Sequence, residues 1–351
     1  MKILYVGPLF TGSTCHQRMM ALSHLGHQML PVDTCPPKVA RQEKHLWERV
    51  WRRLLGPRDL ARANQAIQQL MEREQPQVLW VDKGLTILPE TLAMARTMAP
   101  GLVRVSYSPD DMLNPRNQSR HYVASILSYD LHVTTKSYNV AELEALGAPR
   151  VLFVDNAYCP FTHRPLDLTD SERERLGGPV GFIGTYEAER ARALLFLAGE
   201  GIPVKVWGNW PSRWRHRHPN LQVMGRALYG DDYARAIGSF DINLAFLRKT
   251  NRDLQTTRSM EIPACGGFML AERTAEHQRL FKEGMEADFF DSWEELLEKI
   301  RYYLAHQEKR QAMAAAGRQR CLQAGYGNVE RLKGILEHIF PGKLRQMVEA
   351  S

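Results

Sequence analysis

The residues whose types and spacing best fit a chemical role lie between positions 258 and 270. Arg258 precedes Glu261 by one helical turn, and Gly266 and Gly267 follow before an apolar run. Both oxygens of a carboxylate can bind a ribose diol, a guanidinium can reach phosphate, and paired glycines allow a sharp turn beside a ligand. The alternative is a short buried helix with a capping glutamate, although apolar neighbours would make an unpaired charge costly to bury.

A second loop with phosphate-binding chemistry spans 184–190. Gly184 and Thr185 can offer a backbone and a hydroxyl donor, and Arg190 can supply forked positive charge to a diphosphate. The alternative for Arg190 is an exposed helix face that carries a solvated charge.

The loop from Gly7 to Thr14 joins the first predicted strand to the first predicted helix. Gly12 and Ser13 lie where the backbone can approach a ligand and where a helix N-terminus favours an anion. The loop is neither G-x-G-x-x-G nor a Walker A sequence, which disfavours a dinucleotide or P-loop site. An ordinary strand-to-helix turn is the alternative. His16, at the helix start, is a candidate base or ligand, and a structural role is its alternative.

Two adjacent carboxylates, Asp110 and Asp111, follow the predicted strand at 102–108 and a rigid Pro109. At a strand end they fit a general base or a hydrogen-bonding clamp on sugar hydroxyls. The alternative is a helix N-cap with its neighbour.

These loops follow short apolar segments, which alternate along the chain with longer amphipathic segments. The predicted strands lie at 2–7, 29–34, 77–82, 102–108, 131–135, 151–156, 180–184, 204–208, 221–225, 241–246 and 267–271. The alternation predicts an α/β protein with two Rossmann-like doubly wound domains facing a cleft.

Breaks in this alternation set the predicted domain bounds. We expect an N-terminal domain at 1–165, a linker at 166–178, a C-terminal domain at 179–332 and a helical tail at 333–351.

Composition excludes several classes of protein. With 351 residues, 44% hydrophobic and 24% charged, the chain is globular rather than fibrous or disordered. Its apolar runs are far shorter than the ~20 residues of a membrane helix, and its N-terminus does not resemble a secretory signal. Five cysteines without C-x-x-C spacing disfavour a disulfide framework and fit a cytosolic protein. The net charge of +7 suits an anionic ligand or surface.

At residues 260–270 the sequence MEIPACGGFML resembles the (F/L)-E-x-x-A-C-G-x segment of two-domain glycosyltransferases with the GT-B architecture. It is most similar to the subgroup related to the spore maturation protein CgeB, in which an arginine precedes the glutamate by three residues. VGFIGTYEAER, VKVWGNW and the stretch from FKEGMEADFF to NVERL resemble the same family. The resemblance is strong over 180–332 and weaker over 1–165.

The resemblance implies a hexosyltransferase (EC 2.4) that uses a nucleotide-sugar donor, UDP-sugars among them. Glu261 matches the carboxylate at the ribose, and Arg190 lies near the basic residue at the diphosphate. Gly208 ends a predicted strand of the C-terminal domain, which the resemblance implies is the domain that binds the donor. Asp253 stands where a related branch has a glutamate facing the sugar. No metal or other cofactor is expected, in agreement with the lack of a convincing D-x-D motif or clustered His/Cys site.

The implied acceptor is a glycan, for instance of the cell envelope, a lipid-linked glycan or a protein. Residues 41–62 place Leu46, Trp47, Val50 and Trp51 at helical spacing among basic residues, which fits peripheral contact with the inner face of a membrane. A core-packed helix is the alternative.

Nucleic-acid binding is disfavoured because no recognised module is present. A sugar-nucleotide epimerase and a non-catalytic nucleotide-sugar-binding protein are the alternative functions.

Overall fold

The computed structural model describes residues 1–42, 45, 47, 51 and 56–341. The chain forms two compact units. The first unit contains Met1–Asp155 and the segment that starts at Asn328, and the second contains Asn156–Gly327.

The first unit is built on a six-stranded parallel sheet with the order β2-β1-β3-β4-β5-β6. Its strands are β1 (Lys2–Gly7), β2 (Gln28–Asp33), β3 (Val78–Asp82), β4 (Val103–Ser108), β5 (Leu131–Thr134) and β6 (Val151–Phe153). The helices within its first segment, Met1–Asp155, are α1 (Thr14–His24), α2 (Pro37–Gln42), α3 (Ala63–Glu74), α4 (Pro89–Met98), α5 (Arg120–Ala124) and α6 (Asn139–Ala145). The side chains of β3 are buried on both faces of the sheet, which explains its continuous apolar sequence.

The second unit is built on another six-stranded parallel sheet, with the order β12-β11-β10-β7-β8-β9. Its strands are β7 (Gly178–Ile183), β8 (Val204–Trp207), β9 (Leu221–Val223), β10 (Phe240–Ala245), β11 (Met269–Glu272) and β12 (Asp288–Phe290). Its helices are α7 (Asp170–Leu176), α8 (Ala188–Gly199), α9 (Gly230–Ser239), α10 (Thr257–Ala264), α11 (Ala275–Leu280), α12 (Trp293–Ala305) and α13 (Gln307–Gln323).

The division of the chain differs from the predicted bounds. The boundary follows Asp155, and the segment expected to be a linker contains α7, whose start is closed by a Thr169–Glu172 capping box. The final helix, α14 (Asn328–Ile339), begins before the expected tail and belongs to the first unit. Its apolar side chains complete the first core because they pack with residues of β1. Residues 342–351 lie outside the described part of the chain.

Each sheet reverses its strand order at one point, and loops at such a point form ligand sites in open α/β sheets. In the first sheet β1 lies between β2 and β3, so the loops after β1 and β3 diverge there. In the second sheet the reversal lies between β7 and β10. The predicted α/β fold with two doubly wound sheets is confirmed, and these two edges are where chemistry is expected.

Candidate functional site

Two arginines meet at the reversal point of the second sheet. Arg190 lies in the first turn of α8, shortly after β7, and Arg258 lies in the first turn of α10, after β10. The Nη2 atom of each guanidinium donates to the carbonyl oxygen of Phe246, at 3.2 Å in both cases. Nε of Arg190 also donates to the carbonyl oxygen of Leu247 at 3.2 Å. The loop after β10 therefore holds both cations, which we call the arginine pair.

The positive charge of the arginine pair is only partly balanced. Burial, and then the nearby charge of Arg258, lowers the pKa of Arg190 to about 10. Oε2 of Glu187 lies 3.9 Å from Nε of Arg190, while Oε1 accepts from Nε of Arg248 at 3.0 Å. Within the described ranges, the buried Nε of Arg258 has no hydrogen-bond partner. A desolvated Arg190 beside a half-buried Arg258, with spare donor capacity between them, favours binding of an anion.

Gly184 and Gly208 bring the ends of β7 and β8 close together beside Arg258. A Cβ added to Gly208 would lie 2.0 Å from the carbonyl oxygen of Gly184. That oxygen accepts from Nε1 of Trp210 at 2.9 Å. A Cβ added to Gly184 would lie 3.4 Å from Nη1 of Arg258. The structure therefore places Gly184 next to Arg258, and Gly208 packs against the backbone of Gly184.

Thr185 and Asp253 flank the same region. Thr185 is exposed, and its carbonyl oxygen accepts from Nη1 of Arg190 at 3.4 Å. Asp253 is buried, with Oδ1 accepting from Nδ2 of Asn251 at 2.6 Å and Oδ2 from the backbone N–H of Arg248 at 3.3 Å. Because both carboxylate oxygens bond within its own loop, Asp253 shapes the loop after β10, and its contact with a sugar stays a prediction.

Glu261 is held in a buried polar cage. Its Oε2 accepts from the hydroxyl of Tyr233 at 2.5 Å, and its Oε1 lies 3.8 Å from Nε2 of His163. Burial, and then the charge of Glu261, raises the pKa of Tyr233, so the hydroxyl keeps its proton. Burial lowers the pKa of His163, whose Nδ1 accepts from the backbone N–H of Cys159 at 2.9 Å. Glu261 therefore lies in a short buried helix, but as an oriented and partnered carboxylate rather than a cap.

Gly266 and Gly267 end the helix that carries Glu261. Gly266 has a φ of +78°, in the left-handed region that favours glycine. Its N–H donates to the carbonyl oxygen of Pro263 at 2.8 Å, and that of Gly267 donates to Ile262 at 3.0 Å. The expected sharp turn is present, and helix termination explains the conformation of Gly266.

Gly12, Ser13 and His16 form the start of α1 in the first unit. Gly12 has a φ of +85°. The hydroxyl of Ser13 donates to the carbonyl oxygen of Pro8 at 2.6 Å and accepts from the backbone N–H of His16 at 3.0 Å. Ser13 is thus a helix N-cap, as in an ordinary strand-to-helix turn. The half-buried His16 lies at the reversal point of the first sheet, and ligand roles for all three residues stay predictions.

Asp110 and Asp111 differ sharply in environment. Oδ2 of Asp110 lies 2.7 Å from Nζ of Lys83, and the Asp110 side chain is 24% exposed. Although burial opposes it, Asp110 raises the pKa of Lys83. Asp111 is 0% exposed, and its Oδ1 accepts from Nδ2 of Asn139 at 3.0 Å. Asp110 is therefore the more accessible member of the pair and Asp111 is fully buried, and a catalytic role for either residue stays a prediction.

Ten residues of the predicted amphipathic segment at 41–62, among them Leu46, Val50 and Leu54, lie outside the described residues. The two tryptophans of that segment that are described, Trp47 and Trp51, are 82% and 42% exposed. No helix in the described ranges combines the length and apolar character needed to cross a bilayer. Nor do the described residues form a His/Cys/Asp/Glu group suited to a metal ion.

Sequence reasoning missed Tyr233 and His163, the two partners of Glu261. Tyr233 lies on α9 and His163 precedes α7, so both are far from Glu261 along the chain, and no local sequence pattern links them to it. Only the folded second unit brings them together.

Residues 189–337 match a family model described as "Glycosyl transferase-like". Residues 189–337 therefore resemble a glycosyl transferase-like domain. The matched region includes Arg190, Arg258 and Glu261, while no curated protein sequence matches the chain.

Solved structures with the same fold span nearly the whole chain. Sucrose-phosphate synthase from Thermosynechococcus elongatus is 12% identical, with a TM-score of 0.66 and coverage of 100% of both chains. Anabaena HepE, in complex with UDP and glucose, is 12% identical, with a TM-score of 0.64 over 97% of this chain and 99% of HepE. A putative UDP-N-acetylglucosamine 2-epimerase from Listeria monocytogenes is 13% identical, with a TM-score of 0.57 over 97% and 96%. These likenesses show the GT-B fold.

Proposed function

We propose that the protein is a glycosyltransferase that moves a sugar from a nucleoside-diphosphate-sugar donor to an acceptor. The observation that carries the proposal is the arginine pair, a desolvated Arg190 beside a half-buried Arg258, at the reversal point of the second sheet. The family match over 189–337 and the UDP bound to Anabaena HepE support the same class of donor.

In the proposed reaction an acceptor hydroxyl bonds to the anomeric carbon of the sugar while the bond to the nucleoside diphosphate breaks. The departing diphosphate gains negative charge, and Arg190 and Arg258 would stabilise it there. Glu261, oriented by Tyr233, would accept hydrogen bonds from the ribose hydroxyls. We assign the diphosphate charge to the arginines and propose that the reaction is independent of metals.

The proposed base that removes the proton from the acceptor hydroxyl is Asp110. Its carboxylate follows β4 in the first unit and lies beside Lys83, with part of its surface accessible. Asp111, fully buried and bonded to Asn139, does not suit proton transfer with a substrate.

Finer features of the proposal rest on the sequence alone. Membership of the CgeB-like subgroup, EC 2.4 hexosyl transfer, and a glycan, lipid-linked or protein acceptor follow from the resemblance. A cytoplasmic location follows from the cysteine pattern. Peripheral contact with a membrane through 41–62 would suit a lipid-linked acceptor, and the exposure of Trp47 and Trp51 is compatible with it.

An epimerase is the second candidate, favoured by the fold likeness to the putative Listeria epimerase. The test incubates the protein with UDP-, GDP-, dTDP- and CMP-sugars and analyses the products by mass spectrometry and NMR. Nucleotide binding with slow release of the free nucleotide is expected of the transferase. A new sugar isomer still attached to its nucleotide would instead identify an epimerase, and absence of binding to the whole panel would overturn both.

A further inference from the structure

A buried Ser–His contact begins at the residue that follows Arg258 of the arginine pair. Ser259 follows Arg258 in α10, His277 lies in α11, and both are 0% exposed. Oγ of Ser259 lies 2.7 Å from Nε2 of His277 and accepts from the backbone N–H of Thr256 at 3.1 Å. The contact therefore fastens the first turn of α10 to α11.

The chemistry of its partners fixes the protonation of this imidazole. Nδ1 of His277 lies 2.6 Å from the carbonyl oxygen of Glu272, which can only accept, so Nδ1 carries the proton. Nε2 is then the acceptor, and the Ser259 hydroxyl donates to it. Burial lowers the pKa of His277 to about 4, which keeps the ring neutral near pH 7. The ring also stacks on Phe289, with centroids 5.6 Å apart.

A chain of hydrogen bonds also connects Glu272, whose carbonyl oxygen His277 contacts, to Arg190. Oε1 of Glu272 accepts from the backbone N–H of Leu247 at 3.1 Å. The carbonyl oxygen of Leu247 in turn accepts from Nε of Arg190 at 3.2 Å. His277 thus contacts two parts of the site. Through Ser259 it contacts the start of α10, which bears Arg258. Through Glu272 it contacts the end of β11, which orders the loop that binds Arg190.

We propose that His277 is a positioning residue for the arginine pair, acting through Ser259 on Arg258 and through Glu272 and Leu247 on Arg190. This role rests on the proposed donor site, because it requires the arginine pair to bind a diphosphate. Loss of the imidazole nitrogens would let α10 and the loop after β10 shift independently, and a diphosphate needs both guanidiniums at once.

The test titrates inorganic pyrophosphate into the full-length protein by calorimetry. The variants are Arg258→Gln, His277→Phe and His277→Gln. Phenylalanine keeps the stacked ring and removes both nitrogens, whereas glutamine restores one donor and one acceptor. His132→Phe is the matched control, since His132 is 1% exposed in the first unit and its Nε2 contacts the carbonyl oxygen of Ile126 at 2.9 Å.

We expect His277→Phe to raise the Kd for pyrophosphate about tenfold, His277→Gln to recover part of that loss, and His132→Phe to change it less than twofold. A wild-type Kd in His277→Phe, with weak binding in Arg258→Gln, would overturn the positioning role and leave the donor site standing. Equal Kd values for wild type and Arg258→Gln, or no wild-type binding, would overturn the donor site and this inference together. Should His277→Phe fail to fold, Ser259→Ala replaces it, and wild-type binding by that variant is the contradicting result.

Discussion

Arg258 combines a half-buried guanidinium with a position at the reversal point of the second sheet. One nitrogen of its guanidinium bonds to a backbone carbonyl, while the buried Nε has no partner among the described residues. Arg190 beside it is desolvated and has a lowered pKa. Burying such groups costs free energy that a bound anion would offset, so these positions are expected to govern affinity for the donor.

We expect Arg258→Gln to weaken binding of the nucleotide donor about tenfold to hundredfold, since hydrogen bonds to charged groups contribute about 1.5–3 kcal/mol. Calorimetry with the donor identified by the nucleotide-sugar panel measures the change. Arg192→Gln is the control, because Arg192 is exposed on the helix that carries Arg190. Equal donor affinity for Arg258→Gln and Arg192→Gln would remove Arg258 from the site.

Asp110 and Asp111 allow a second comparison between neighbouring residues. We expect Asp110→Asn to lower turnover about a hundredfold or more while donor affinity stays unchanged, since general bases contribute about 10²–10⁴-fold. Asp111→Asn should mainly lower the midpoint of urea unfolding, because Asp111 is buried and bonded to Asn139. Steady-state kinetics beside urea titrations separate the two effects, and normal turnover in Asp110→Asn would reject it as the base.

At the scale of elements, the sequence predicted most strands because buried parallel strands are continuously apolar. The predicted strand at 2–7 has the bounds of β1, and the one at 131–135 extends one residue beyond β5. β12 was not predicted, since its three residues include the charged Asp288. That carboxylate is buried but bonded to the hydroxyl of Tyr303 at 2.7 Å, a partner from α12 that no local pattern reveals.

The candidate site was predicted only where its residues are close in sequence or follow strand ends. Arg258 and Glu261 share one helix, and Gly184 and Arg190 follow one strand. The partners that hold them come from elsewhere in the chain. His277, for instance, contacts Ser259 across 18 positions. Such contacts depend on tertiary packing, which spacing along the sequence does not determine.

Gly267 gives a prediction about packing between elements. A Cβ added there would lie 2.6 Å from Cγ2 of Ile237 and 2.8 Å from Nδ2 of Asn243. We expect Gly267→Ala to lower the free energy of unfolding by about 1–3 kcal/mol through overpacking. In Gly101→Ala, the control, the added Cβ would have no neighbour within 4 Å. Urea unfolding measures both, and equal stability of the two variants would contradict the packing at Gly267.

At the scale of the whole molecule, the chain passes from the first unit to the second and back again. α14 returns to complete the first core, with Leu332, Ile335 and Leu336 buried there. The sequence did not predict this return, because an amphipathic helix does not specify which core covers its apolar face. The two sheets were predicted, and the assignment of the last helix was not.

Buried imidazoles in both units predict how stability depends on pH. Burial lowers the pKa of His132 and His163, and that of His277 to about 4. The unfolded chain takes up these protons below about pH 6.5, whereas the folded protein does not until lower pH. The free energy of unfolding should therefore fall as the pH drops from 7.5 to 5.5.

Urea unfolding at pH 7.5, 6.5 and 5.5 measures this dependence. Carboxylates such as Glu295, whose hydrogen bond to Arg273 lowers its pKa to about 2, stay ionised over this range and contribute little to the change. Stability that is flat or rises towards pH 5.5 would contradict the assignment of neutral buried imidazoles.

The most direct test of the donor site is a crystal structure of the protein with the nucleoside diphosphate that binds best in the panel. The diphosphate oxygens are expected within hydrogen-bonding distance of Arg190 and Arg258, with the ribose hydroxyls at Glu261. A nucleotide bound at full occupancy elsewhere, with both guanidiniums still bonded only to the protein, would contradict the account.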